Sequence, residues 1–168
     1  MIVYHEIDPS SCGAVLKDGL KRTSRGEKGD DELIKTTDEL LDSRRPSGLS
    51  QAGVSRDNNL YAYLSSDDHI IDIKDGLEKP ISEFADRGEQ VLLSLQVDSD
   101  KVYVSDLDRY DRLKEAVASG LGQPVLEELA DTYWRAVISL KLYQPHSLRR
   151  PEAMITYDIN SQLVEVVS

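Results

Sequence analysis

Five side chains of this sequence carry the types and placement that could do chemistry: His5, Arg56, Tyr61, Tyr63 and Glu152. His5 falls in the run Ile2–Ile7, where alternation puts it on one face with Val3 and Ile7 and leaves Ile2, Tyr4 and Glu6 on the other. A histidine so placed is either a hydrogen-bonded core residue or a donor and acceptor at a cleft. Tyr61 and Tyr63 share one face of their own run, as ordinary strand aromatics with a hydroxyl at the core margin or as a stacking surface for a planar ring. Arg56, just upstream, either pairs with a phosphate or stays solvated. Glu152 stands between Arg149-Arg150-Pro151 and an apolar run. A carboxylate at the entrance of a strand faces solvent by default, yet a rigid sheet can also hold one charged group there over a cleft. The two arginines beside it either bring a phosphate or nucleic acid close or offset surplus acid.

The elements that must position these groups are legible in outline. Ile2–Ile7 reads as a strand, and Asp8-Pro9 starts a helix with Asp8 as cap and Gly19 at its end. Residues 21–31 read as a polar loop with Gly26 and Gly29. A helix is expected over 31–43, with Thr36 and Glu39 at capping-box spacing and Pro46 beyond its end. Residues 48–59 read as irregular, 59–64 as a strand, 70–73 as an edge strand and 80–86 as one or two turns of helix. Val91–Val97 and Lys101–Val104 are expected to pair as a hairpin about Asp98-Ser99-Asp100. Helical pattern returns at 107–119, and the longest helix is expected over 124–142, opened by Pro124. Residues 153–159 and 163–167 read as closing strands. The expectation is one α+β domain spanning 1–168, with helices packed on a sheet.

Composition narrows the function classes. The chain has 168 residues, with 20 Lys and Arg against 31 Asp and Glu, a net charge of −11 and 39% hydrophobic residues. Such a surplus of acid opposes binding to nucleic-acid phosphate or anionic membrane through the whole surface, although Arg44, Arg45 and Arg56 offer a local exception. One cysteine, Cys12, makes no internal disulfide and has no context of a nucleophile. No apolar run approaches the roughly 20 residues that span a bilayer. The opening residues lack the pattern of a signal peptide, so a cytoplasmic location without membrane contact is the expectation. The runs Asp30-Asp31-Glu32 and Ser66-Asp67-Asp68-His69 lack calcium-loop spacing and read as solvated faces. His69 and His146 lack metal-site partners, and neither type of glycine-rich phosphate loop is present.

Taken in order, four short segments resemble the ADP-ribosyltransferase superfamily, in its diphtheria-toxin and poly(ADP-ribose) polymerase branch. They are Val3-Tyr4-His5-Glu6, Val15-Leu16-Lys17-Asp18-Gly19-Leu20, Asn59-Leu60-Tyr61-Ala62-Tyr63 and Pro151-Glu152-Ala153-Met154-Ile155-Thr156-Tyr157-Asp158-Ile159. The resemblance implies a split mixed β-sheet with surrounding helices and NAD as cosubstrate. It implies transfer of ADP-ribose to a macromolecular acceptor, protein or nucleic acid, and for a toxin an antitoxin partner. By the same resemblance His5 hydrogen-bonds the adenosine ribose, and its backbone neighbourhood, Glu6 included, grips the nicotinamide amide. Tyr61 stacks on the nicotinamide ring, with Tyr63 as the fallback, and Arg56 joins the cofactor-binding set. Glu152 stabilises charge at the nicotinamide ribose as the glycosidic bond breaks, in an oxocarbenium-like transition state. The chain departs from the family at Glu6, where glycine normally follows the histidine. The residue two before Glu152 is Arg150, which speaks against the arginine-targeting branch with its paired glutamates. Loops 21–31 and 44–58 are the expected acceptor-recognition elements. Two other readings are a non-catalytic α+β interaction domain and an NAD-dependent RNA 2′-phosphotransferase.

Overall fold

Residues 1–23 and 31–167 are described by a computed structural model. Runs of apolar and β-branched residues become the strands β1 (Ile2–Ile7), β2 (Leu60–Tyr63), β3 (Ser65–Ser66), β4 (His69–Ile71), β5 (Glu78–Pro80), β6 (Val91–Gln96), β7 (Val102–Asp106), β8 (Ile138–Ser139), β9 (Pro151–Ile155) and β10 (Val164–Val166). The helices are α1 (Cys12–Asp18), α2 (Glu32–Ser43), α3 (Ser47–Gln51), α4 (Ile81–Ala85), α5 (Leu107–Ala118) and α6 (Gln123–Ala136). The fold is α+β: a seven-stranded sheet in the order β10-β6-β1-β2-β9-β7-β8, with a three-stranded sheet β3-β4-β5 beside it. Every pairing is antiparallel, where a mixed sheet was expected. No helix among the described residues is long and apolar enough to cross a membrane.

The large sheet has a weak seam. β1 pairs with β6 along its full length, from Ile2↔Gln96 to Ile7↔Val91, and β2 pairs with β9 from Leu60↔Ile155 to Tyr63↔Glu152. Between β1 and β2 the ladder is a single pair, Tyr4↔Tyr63. The strands therefore part immediately beyond Tyr4, on the side of His5 and Glu6.

Alternation along β9 sends Ala153 and Ile155 into a core with Val3, Leu93 and Leu95, and sends Met154 to the opposite face. There it packs with Leu41 of α2, Leu107, Tyr110 and Leu113 of α5, and Ala130, Tyr133 and Trp134 of α6. Glu152 has the same parity as Met154 and so belongs to the helix-covered face. A third cluster, Tyr63, Ile70, Phe84 and Leu92, joins the small sheet to the large one.

Local expectations fared unevenly. Asp8 caps through a 2.8 Å bond from the Ser10 N–H, and Gly19 ends α1 at φ +83°. A side chain at Gly19 would meet the Ile159 carbonyl at 2.2 Å, where Leu20 and Ile159 form a bridge. The expected hairpin 91–104 does not form: β6 lies on β1 and β10, whereas β7 lies on β9 and β8. Both strands are buried and each has two better-matched neighbours, so the short connection carries the chain across the seam. The α2 cap is Asp31, which accepts from the N–H groups of Leu33 and Ile34, and not Thr36, which lies inside the helix. The helix expected to reach 142 stops at Ala136, because Val137 turns extended and Ile138 pairs with Val104 on the edge of β7. The segment read as irregular contains α3. Of the 21–31 loop, residues 24–30, with Gly26, Gly29 and Asp30, lie outside the described residues.

Candidate functional site

Where β1 and β2 part, a pocket of about 200 Å³ opens, lined by His5, Glu6, Tyr61, Ala62, Tyr63, Ile73, Gln90 and Glu152. Three strands thus bring together an imidazole, a phenol and a carboxyl group that are far apart in sequence. Pockets for drug-sized ligands run to roughly 300–1,000 Å³, so this one encloses about one ring, and a larger ligand extends past its mouth along the lining residues.

The imidazole of His5 bridges the seam. Its Nδ1 lies 2.6 Å from the Tyr61 carbonyl oxygen, and a carbonyl only accepts, so Nδ1 carries the proton. Burial lowers the His5 pKa, against the pull of that carbonyl and of Glu6, and the ring is neutral at pH 7. Nε2 is then an acceptor, with no hydrogen bond to any described residue, and suits a ligand hydroxyl.

Glu152 is held from behind. It is 7% exposed, and its Oε2 accepts from Arg56 Nη1 at 2.8 Å and from the Ser105 hydroxyl at 3.4 Å. Both contacts fall on one oxygen. Oε1 takes no hydrogen bond among the described residues, which leaves it for a ligand in the pocket that Glu152 lines. The strand-entrance position does not make this carboxylate solvent-facing, because β9 is flanked by β2 and β7 and Glu152 pairs with both Tyr63 and Ser105.

Arg56 is not among the residues that line the pocket. Its guanidinium is buried, with its carbon 4.5 Å from the Tyr61 ring centre and 4.4 Å from that of Tyr110. Nη1 also donates to the Tyr133 hydroxyl at 3.2 Å, and Nε lies 3.4 Å from Asp38 Oδ1. Burial opposes the charge, but Tyr133, Tyr61, Glu152 and Asp38 outweigh it and hold the pKa well above the usual arginine value. With Nε and Nη1 already engaged and the residue absent from the pocket lining, Arg56 is not placed to take a phosphate there. It orders Glu152 and backs the ring of Tyr61 instead.

Tyr61 lines the pocket, and its hydroxyl donates to the Arg56 carbonyl at 2.6 Å, which fixes the ring. Burial pushes its pKa well up, so it remains a phenol. Tyr63 donates to Glu6 Oε2 at 2.5 Å, and its ring meets Phe84 edge-on at 5.4 Å. Glu6, the departure from the family pattern, therefore turns its carboxylate toward the pocket wall.

Four other arginines weighed as anion contacts from the sequence, Arg44, Arg45, Arg149 and Arg150, have protein partners. Arg44 makes two 2.7 Å bonds to Asp131, and Arg45 donates to the Val54 carbonyl. Arg149 pairs with Asp108, and Arg150 bonds Asp111 and the Ile73 carbonyl. None of them stands as a free cation patch. Sequence reading missed Ile73 and Gln90 in the pocket, and Asp38, Ser105, Tyr110 and Tyr133 around the Arg56–Glu152 pair. One signal was available: Asp38 stands one turn before Leu41 on α2, and a carboxylate on a buried helix face demands a partner.

Compared with known proteins, the chain matches no family model, no curated sequence and no solved structure.

Proposed function

We propose that the chain is an NAD-dependent ADP-ribosyltransferase, a glycosyltransferase that releases nicotinamide and passes ADP-ribose to a macromolecular acceptor. The observation that supports this reading is the convergence of His5, Tyr61 and Glu152 on one ring-sized pocket at the open seam. NAD supplies a ribose whose bond to nicotinamide breaks with the electron pair leaving on the neutral base, while the acceptor nucleophile bonds the same carbon and releases its proton. Tyr61, fixed by its hydroxyl bond and backed by Arg56, is the aromatic residue of the lining assigned to the nicotinamide ring. His5 Nε2 accepts from a ribose hydroxyl. Glu152 Oε1 accepts from the other ribose and sets negative charge where positive charge develops, in a site that Arg56 has already ordered. Because the base leaves neutral, no general acid is needed.

A second reading, a non-catalytic interaction domain, draws on the Arg56–Glu152 ion pair, since each group in the pocket also has a structural bond. The phosphotransferase reading gains nothing from the pocket, whose lining contains no lysine or arginine among the described residues. Incubation with NAD and candidate acceptors, followed by nicotinamide release, separates the first two. Release by the wild type and its loss in a folded Glu152→Gln variant is the expected result. Equal release by both, or none by either, sinks the catalytic reading. In the second case NAD at 100 times the dissociation constant expected of a cosubstrate also fails to add the roughly 2.7 kcal/mol of stability that binding confers.

A further inference from the structure

The pocket carries two carboxylates, and only one is used above. Glu6 lines it from β1, as Glu152 does from β9, with a side chain 14% exposed. Its Oε2 is taken by the Tyr63 hydroxyl, and Tyr63 is itself fixed against Phe84. Among the described residues its Oε1 has one cation nearby, Arg87 Nη1 at 3.8 Å, beyond hydrogen-bond reach. That guanidinium is shared: its Nη2 lies 3.1 Å from the buried Asp72 and 3.9 Å from Glu83. Lys79, the next cation, divides itself between Asp72 at 2.7 Å and Asp75 at 2.8 Å. Among the described residues four carboxylates, Glu6, Asp72, Asp75 and Glu83, thus share two cations, and the close contacts go to Asp72 and Asp75, leaving Glu6, which borders the pocket, at 3.8 Å. Glu6 Oε1 is a fixed, charged acceptor with lone pairs to spare.

We infer that Glu6 sets which pyridine substituent the pocket accepts, admitting a carboxamide and rejecting a carboxylate. The inference deepens the proposed function and rests on the ring in the pocket being nicotinamide. The carboxamide N–H₂ has a donor for Oε1. A nicotinate ring offers no donor and brings a like charge into a small, partly dehydrated space beside Glu6 and Glu152, so its exclusion works by repulsion as well as by a missing bond.

The experiment compares NAD with nicotinic acid adenine dinucleotide as kcat/KM for release of the free base, in the wild type, Glu6→Gln and Tyr63→Phe. The wild type is expected to favour the amide at least about tenfold, equivalent to roughly 1.4 kcal/mol. Glu6→Gln, which keeps an acceptor and a similar shape but loses the charge, is expected to erase most of that preference. Tyr63→Phe, which loosens the carboxylate, reduces it in part and serves as the test should Glu6→Gln not fold. Release from both dinucleotides at equal efficiency overturns the assignment and leaves the proposed function standing. A preference unchanged in the folded variants also overturns it. Release from neither by the wild type refutes the functional reading itself.

Discussion

Replacing Arg56 by methionine removes a charge that Glu152 and Asp38 both depend on. The guanidinium sits 2.8 Å from Glu152 Oε2 and 3.4 Å from Asp38 Oδ1, in surroundings only 6% exposed. Truncating one partner of a buried pair costs about 3–5 kcal/mol, because the stranded charge keeps its desolvation penalty without its Coulombic return. Contact with the Tyr61 and Tyr110 rings, at 4.5 and 4.4 Å, adds roughly 1 kcal/mol, part of which methionine regains by packing. The sum is a large share of the ~5–15 kcal/mol that stabilises a typical domain. For a chain of this length it corresponds to a fall in Tm of roughly 6–20 °C.

Urea denaturation of the wild type, Arg56→Met, Glu152→Leu and the double variant measures the coupling directly. Glu152→Leu alone is expected to be milder, since Arg56 retains Asp38 and the Tyr133 hydroxyl. The double variant should lose about 1–3 kcal/mol less than the sum of the singles, because Glu152 is no longer buried without Arg56, while the cost at Asp38 is common to the double variant and Arg56→Met. An Arg56→Met loss below about 1 kcal/mol, or single losses that add to within ~0.5 kcal/mol, would show that the pair does not hold the site, and the account of Glu152 would fall with it.

Other outcomes follow from the same geometry. The His5 pKa lies below 6.5 in the folded chain, so as pH falls from about 6.5 the unfolded state takes up a proton first and stability drops; urea midpoints at pH 7.5 and 5.5 should show this step, flattened in His5→Asn. Burial pushes the Asp72 carboxyl up, but bonds from Lys79, the Lys74 N–H and Arg87 outweigh it and hold the pKa down to about 2. Its contribution is therefore complete above the unfolded value near 4 and is lost as pH falls toward 2, a loss that an acid titration of Asp72→Asn should lack. Gly19→Ala forces a methyl group against the Ile159 carbonyl at φ +83° and should cost about 2 kcal/mol or more in thermal melting; a wild-type Tm would mean that the Leu20–Ile159 bridge is not as described.

Some of the candidate site could be read one strand at a time. The alternation of Val3, His5 and Ile7 placed His5 on the apolar side of β1, and it is half-buried there, tied to Tyr61 rather than packed as inert core. Tyr61 and Tyr63 share a pocket because a period of two leaves them on one face. Arg56 was misread because nothing local distinguishes a solvated arginine from one enclosed by rings on α5, α6 and β2. Its partners lie 18, 77 and 96 residues away in the chain. The 91–104 hairpin failed for a related reason: a short polar connection permits strands to pair but does not require it when each has a better neighbour.

Local rules, then, determined where most strands and helices begin and end, which residues face the core, and where Gly19 must turn, since these depend on side-chain period, capping and backbone sterics within a few residues. Which strands became neighbours, and so where the ladder thins to one pair and leaves a cavity, was decided only by packing the whole chain. The same holds for the charge state of the site. A glutamate at a strand start becomes a fixed buried anion only when a cation from a distant loop is enclosed with it, because the penalty of removing either charge from water is offset by the other at close range.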